Sequence, residues 1–275
     1  MKKILLIVII LIVGCSKPIN DDTLISKDGL KYIPYTKELY SGKVFKNYMG
    51  GKKQFEGIYM DGEKYGLWKY YTEDGKILSE ISFPVTDIDG NSYKIEMIGK
   101  QIWIVENLKV THYRNGNPIP NLSRQDDWND TKLGAYCNYD NDEKNVETYG
   151  RLYNWYAVID KRGLAPKGWH IPTMKEWNEL INYLGGSDVA GGKLQEAGGS
   201  GFKAQLGGKR PNYGKFGSEY YFISFDGEFW SSTGDIIVDS EYAISYGLTA
   251  VLQDSRIKTN LSLMKSGFSI LCVRD

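Results

Sequence analysis

Short aromatic runs closed by glycine turns decide what this chain can build. Tyr40-Ser41-Gly42-Lys43-Val44-Phe45, Phe55-Glu56-Gly57-Ile58-Tyr59 and Gly66-Leu67-Trp68-Lys69-Tyr70-Tyr71 are separated by Gly51-Lys52 and Asp61-Gly62 and followed by Asp74-Gly75-Lys76. Asp and Gly side by side tolerate the positive φ that a two-residue hairpin turn demands, so the stretch reads as an antiparallel meander. Gly42 and Gly66 open equivalent units about 24 residues apart, each ending in Gly-Lys, which marks an internal repeat. The same texture runs through the whole chain. With 31 Gly, 21 Tyr and 7 Trp and little Leu-based helical periodicity, the sequence predicts many strands and few helices.

The segment MKKILLIVIILIVGC fixes a different property, the compartment. Lys2 and Lys3 precede an apolar run from Ile4 to Val13, too short for a bilayer, which needs about 20 apolar residues, and suited to a cleaved export signal. Ile12-Val13-Gly14-Cys15 resembles the lipobox of bacterial lipoproteins. On that reading residues 1–14 are removed and Cys15 carries the lipid, palmitate included, that fastens the chain to the membrane. An outer membrane of the bacterial cell envelope is the expected location; an ordinary secretory signal with an incidental cysteine is the alternative. Each buried methylene contributes about 0.8 kcal/mol, so two or three acyl chains hold firmly. Residues 15–37 are polar and aperiodic and are expected to form a lipidated tether, 38–83 the repeat segment and 84–275 a larger domain. Lys plus Arg equals Asp plus Glu at 34 each, so no basic excess exists to hold nucleic acid.

With Cys15 lipidated, Cys137 and Cys272 remain. In an exported protein such a pair is expected to form a disulfide, worth roughly 4 to 5 kcal/mol in the chain-entropy model; two free thiols are the alternative. In the larger domain, Asp89-Gly90 and Gly99-Lys100 punctuate alternating runs from Val85 to Ile104 and predict a three-stranded meander. Asp87-Ile88-Asp89-Gly90-Asn91 also resembles the start of a calcium loop, but Ile98 stands where the bidentate Glu belongs, which favours a turn. Thr173-Met174-Lys175-Glu176 after Pro172 is a capping box, and Trp177, Leu180, Ile181 and Leu184 follow at helical spacing before Gly185-Gly186. Further helices are predicted over 150–160 and, as a single turn, over 192–197. Gly267 to Asp275 closes as an apolar strand expected inside a sheet.

Ile88-Asp89-Gly90-Asn91, Ile98-Gly99-Lys100-Gln101-Ile102-Trp103, Glu106-Asn107-Leu108, Gly134-Ala135-Tyr136-Cys137, Leu152-Tyr153-Asn154-Trp155-Tyr156-Ala157, Gly168-Trp169-His170-Ile171-Pro172-Thr173, Trp230-Ser231-Ser232-Thr233 and Cys272-Val273-Arg274-Asp275 together resemble, in order, the Fibrobacter succinogenes major paralogous domain. That resemblance implies an exported protein or lipoprotein of Fibrobacter or Bacteroidetes-type bacteria, with no defined biochemical role. Ala165 departs from the family, which often has a cysteine before its Pro-x-Gly-Trp-His block. The Ile-Pro-Thr-x-x-Glu-Trp helix start and the closing Gly-Phe-x-x-x-Cys-Val-Arg are similar also to the formylglycine-generating (sulfatase-modifying) enzymes and, more distantly, to C-type lectins. The fold this implies is α+β: a C-type-lectin-like, sulfatase-modifying-factor-like domain, loop-rich with few short helices. The 38–83 segment resembles MORN-type repeats, implying a small antiparallel β-meander in front of that domain.

Catalytic chemistry finds little support in these residues. Formylglycine-generating enzymes use a cysteine pair ahead of the closing block, and 222–266 contain none. His112 and His170 lack metal-ligand spacing, and neither a nucleophile elbow nor a phosphate loop occurs. The chain is therefore expected not to be an enzyme. A binding module is the favoured class, because Trp128, Tyr136, Tyr139, Tyr213 and Tyr220 lie in polar, Gly/Asn-rich loops where rings can stack on sugars. The expected partner beyond the membrane is a polysaccharide or another envelope protein, with a purely structural role, or an enzyme distantly related to the formylglycine-generating oxidases but without their cysteine pair, as the alternatives. No cofactor is expected; Asp140, Asp142 and Glu143 offer the hard oxygen ligands of the one calcium candidate. Trp128-Asn129-Asp130 spells a calcium-lectin string, but in lectins that string belongs near the closing block, where Phe229-Trp230-Ser231-Ser232 stands here.

Overall fold

The computed structural model describes residues 17–195, 202, 204–212, 216, 226–234, 241–249 and 256–275. The chain divides into two compact units, residues 1–82 and 83–275.

In the first unit, β1 (Ile19–Asn20), β2 (Ile25–Lys27) and β3 (Leu30–Tyr32) precede the repeat strands β4 (Gly42–Asn47), β5 (Lys53–Met60), β6 (Glu63–Tyr71) and β7 (Ile77–Phe83). They form a sheet in the order β1-β4-β5-β6-β7, with β4, β5 and β6 antiparallel as the Asp-Gly signals require. Asp61 and Gly62, at φ 47° and 78°, make the two-residue turn that joins Met60 to its partner Glu63. Trp68 is fully buried, meets Tyr59 edge-on with centroids 4.9 Å apart, and donates from Nε1 to the Ile58 carbonyl at 3.1 Å. Gly57 makes room for it: a Cβ there would stand 2.3 Å from the indole. The expected tether needs correcting from residue 17 onward. β1 pairs in parallel with β4, Leu24 is buried, and the buried Asp21 holds Lys31 at 2.6 Å. Polar composition concealed these anchors: β1 adds its backbone to β4, and Lys46 on β4 pairs with Asp22 at 2.7 Å.

The second unit runs through β8 (Val85–Thr86), β9 (Ser92–Tyr93), β10 (Ile95–Ile98), β11 (Gln101–Ile104), α1 (Gln125–Asp130), β12 (Tyr136–Cys137), α2 (Val146–Tyr149), β13 (Leu152–Tyr153), α3 (Trp155–Val158), β14 (Trp169–His170), α4 (Met174–Tyr183), α5 (Ser187–Leu194), β15 (Asp226–Gly234), β16 (Tyr242–Thr249), β17 (Ile257–Leu263) and β18 (Cys272–Arg274). Strand-rich with a few short helices, it is an α+β, loop-rich fold. A four-stranded sheet has the order β10-β11-β18-β14 and a three-stranded one the order β15-β16-β17. The closing strand β18 is buried between β11 and β14, antiparallel to both, as its apolar sequence predicts.

The three-stranded meander expected over 85–104 is two separate hairpins, β8–β9 and β10–β11. Asp87 is the reason: its carboxylate accepts from the amides of Asp89 and Asn91 and from the Tyr93 hydroxyl at 2.7 Å, closing the first turn upon itself. Helix α4 forms as read, with Thr173 Oγ1 accepting from the Glu176 amide at 3.3 Å and the Glu176 carboxylate accepting from the Thr173 amide at 2.8 Å. Its buried Trp177 stacks on Tyr246 at 4.8 Å, and Leu180, Ile181, Trp103, Phe229 and Val273 pack into the same core. The helix expected over 150–160 shrinks to α3, because Gly150 at φ 70° breaks it, Leu152 pairs with Cys137, and Asn154 then caps the short helix. The turn expected over 192–197 is the C-terminal part of α5, which ends at Leu194.

Cys137 and Cys272 are both free and buried, which overturns the expected disulfide. Topology puts them in different sheets: Cys137 lies opposite Leu152 on β13, and Cys272 opposite Ile104 on β11. Burial pushes the Cys137 thiol up to about 11 and raises that of Cys272 as well, so both are inert. Among the described residues, no helix is long and apolar enough to cross a membrane.

Candidate ligand-binding site

Two arginines organise the loops that carry the aromatic candidates. Arg210 is fully buried and donates to the carbonyls of Leu122, Ser123 and Arg124 just ahead of α1, a helix whose N-cap offers no side-chain hydrogen bond. Its guanidinium lies 4.4 Å from the Trp128 ring centroid and 5.2 Å from that of Phe216, which meets Tyr139 edge-on. Trp128 is itself fully buried and donates to the Lys265 carbonyl at 2.6 Å. It is a core residue, not a loop platform. Arg151 lies 4.9 Å from the ring centroid of the buried Tyr136, donates to the Lys109 carbonyl at 2.9 Å and pairs with Glu143 at 2.8 Å. Of the five aromatic candidates, then, Trp128 and Tyr136 are interior, Tyr139 is half-buried, and Tyr213 and Tyr220 lie outside the described residues, as Cys15 does.

The calcium candidate does not assemble. Glu143 is turned onto Arg151 and Asn138, whose hydrogen bonds hold its carboxyl below the ordinary range against the opposing effect of burial. Asp142 accepts from the Lys144 amide at 3.0 Å, and Asp140 sits exposed at φ 53°. Among the described residues no three His, Cys, Asp or Glu side chains come together to hold a metal. The histidines are likewise committed. His170 bridges Asp275 through Nδ1 and Glu176 through Nε2, both at 2.8 Å, tying β14 to α4. Burial opposes ionisation of Glu176, yet the hydrogen bonds from Thr173 and His170 outweigh it and leave the carboxyl lowered. His112 Nδ1 meets Asp89 at 2.6 Å.

A groove lies elsewhere, beside β17. Its volume is about 240 Å³, and Lys209, Pro211, Asn212, Ser262, Ser266 and Phe268 line it, with Tyr242, 44 % exposed, also at its wall. Behind it sits Glu228, buried on β15, which accepts from Ser245 Oγ at 2.6 Å and Asn260 Nδ2 at 2.8 Å and holds Lys209 Nζ at 3.6 Å. Ser245 and Ser262 share a further hydrogen bond at 2.9 Å, so this carboxylate is linked to two groove residues. Gly247 opposite Glu228 keeps the space, since a Cβ there would approach the carboxylate to 3.1 Å. Sequence reading missed the groove because its walls come from three separated stretches. The one available signal was a lone acid in Gly227-Glu228-Phe229-Trp230, an otherwise apolar strand.

The sequence profile of the Fibrobacter succinogenes major domain matches residues 97–274, more than half of the chain. The chain belongs to that family. The match begins inside β10, so the β8–β9 hairpin precedes it, whereas the groove, Glu228 and both organising arginines all fall within the family domain. No curated protein matches the chain, and no solved structure does.

Proposed function

We propose that the protein is a lipid-anchored lipoprotein of the bacterial cell envelope, held in the outer membrane through Cys15, whose family domain recognises a polysaccharide without acting on it. The observation that carries the recognition role is the groove beside Glu228, where hydroxyl, amide and apolar groups meet in one concavity. A non-catalytic role draws support from the commitments of the ionisable groups, since His170, Glu176, Glu143 and Arg151 all serve the fold. The finer architecture belongs to the same proposal: a C-type-lectin-like, sulfatase-modifying-factor-like domain, supported by a closing strand that returns beside β11 and by a second three-stranded sheet. An envelope-protein partner is the second reading, favoured by the exposed Ile77, Leu78 and Ile81 of β7, the edge strand of the repeat sheet.

Metabolic labelling with palmitate is expected to mark the wild type and not Cys15→Ser. The unlipidated Cys15→Ser protein is then expected to bind a member of a glycan panel with or without calcium. Binding of a purified envelope protein alone would favour the second reading, and an unlabelled wild type that binds nothing would overturn both.

A further inference from the structure

We infer that the groove beside β17 takes a single uncharged sugar ring, and that the buried Glu228 sets this preference by neutralising Lys209. The inference rests on the polysaccharide reading above and names the class of sugar.

Size comes first. A volume of about 240 Å³ falls below the roughly 300–1,000 Å³ of sites for drug-sized ligands. It therefore accommodates one ring, with the rest of a chain outside. Chemistry comes second. Ser262, Ser266 and Asn212 each carry groups that donate and accept, as the hydroxyls of a sugar do. Tyr242 and Leu261, both exposed, supply apolar surface for its C–H face.

Charge decides the class. Lys209 is the only cation among the described lining residues, and alone it would select uronic acids. Glu228, its side chain 7 % exposed, stands 3.6 Å behind that ammonium, fixed by Ser245 and Asn260. An incoming carboxylate would have to share the lysine with a buried acid that cannot leave, and like charges at close quarters are rejected. A neutral ring meets no such conflict.

The test uses the full-length mature chain as Cys15→Ser and titrates neutral gluco-, manno-, galacto- and xylo-oligosaccharides alongside oligogalacturonate by calorimetry. A neutral member is expected to bind with little dependence on salt, as an uncharged ligand should. Asn212→Ala should weaken it about tenfold, the loss of one well-made polar contact. Glu228→Gln keeps shape and hydrogen bonds but removes the buried negative charge beside the lysine, and oligogalacturonate should gain about tenfold or more. Should that variant not fold, as judged by its thermal melt, the salt dependence of the wild type decides. A wild type that prefers oligogalacturonate, a steep salt dependence, or neutral binding indifferent to Asn212→Ala would each overturn the inference while leaving glycan recognition standing. Failure to bind any glycan would overturn both.

Discussion

The repeat unit and the family domain reach stability over different distances along the chain. In the repeat unit β4, β5 and β6 each pair with a neighbour in sequence, and one indole, Trp68, fills the centre. In the family domain the decisive contacts are remote: Trp128 bonds to Lys265, 137 residues away, and Asn107 to Ser269, 162 away. Asn107, fully buried, also donates to the carbonyls of Tyr149 and Gln205, so one amide pins three loops. A sheet of local hairpins can rely on apolar packing, whereas a domain made of loops must satisfy many buried carbonyls and does so with interior polar side chains.

The largest expected effect separates the two units. Trp68 is the only tryptophan before Phe83, and Cys137 and Cys272 both lie after it. In a Cys15→Ser background, Trp68→Ala should cost the repeat unit about 3–5 kcal/mol in urea unfolding, while the two thiols stay as protected from labelling as before. Thiols that become reactive in step with the loss of the repeat unit would merge the two into one cooperative body. Next comes Arg210→Met, which takes one donor from each of three carbonyls; that of Ser123 keeps the Asn141 side-chain amide and that of Arg124 the Trp128 backbone amide, so at about 1–3 kcal/mol for a buried group left unsatisfied a loss of about 2 kcal/mol is expected, read as earlier labelling of Cys137. Thr173→Ala removes one half of the α4 capping box and should cost about 1 kcal/mol, detected as a lower midpoint of the thiol-reported transition alone.

The smallest effect is electrostatic. The Glu143 carboxyl is held below its ordinary 4.5, chiefly by the Arg151 hydrogen bond. A depressed acid stabilises the fold above its unfolded value, and that contribution fades as pH falls below 4.5 through the folded value. With its side chain 69 % exposed, the pair is screened, so the loss is a fraction of a kcal/mol. Glu143→Gln should flatten that part of the acid limb in a pH series of melts; an unchanged limb would leave the Arg151 pair without energetic weight.

What the sequence disclosed follows the same division. Asp61-Gly62 and the Thr173 capping box are local devices whose partners lie within a few residues, and both formed as read. The family blocks were legible too, being continuous strings. Helix α1 was not, because it has no side-chain cap of its own and the carbonyls at its start are held by Arg210, more than eighty residues downstream. The aromatic candidates failed for a related reason: Trp128 and Tyr136 stand among loop-like residues, yet each has an arginine against its ring that draws it inside. Pairing Cys137 with Cys272 rested on compartment and count alone, and neither carries information about which sheet a strand joins. The groove shares that opacity, since Lys209, Ser262 and Glu228 meet only after β15, β16 and β17 have aligned.

The position of β18 governs when the family domain becomes finished. It is the joint between β11 and β14, yet it is synthesised only after residues 105–271 have emerged. A nascent thread halted anywhere ahead of Cys272 thus has its sheet split down the middle, with β11 and β14 left unjoined. A protease that clips this short strand would undo the sheet from the centre outward.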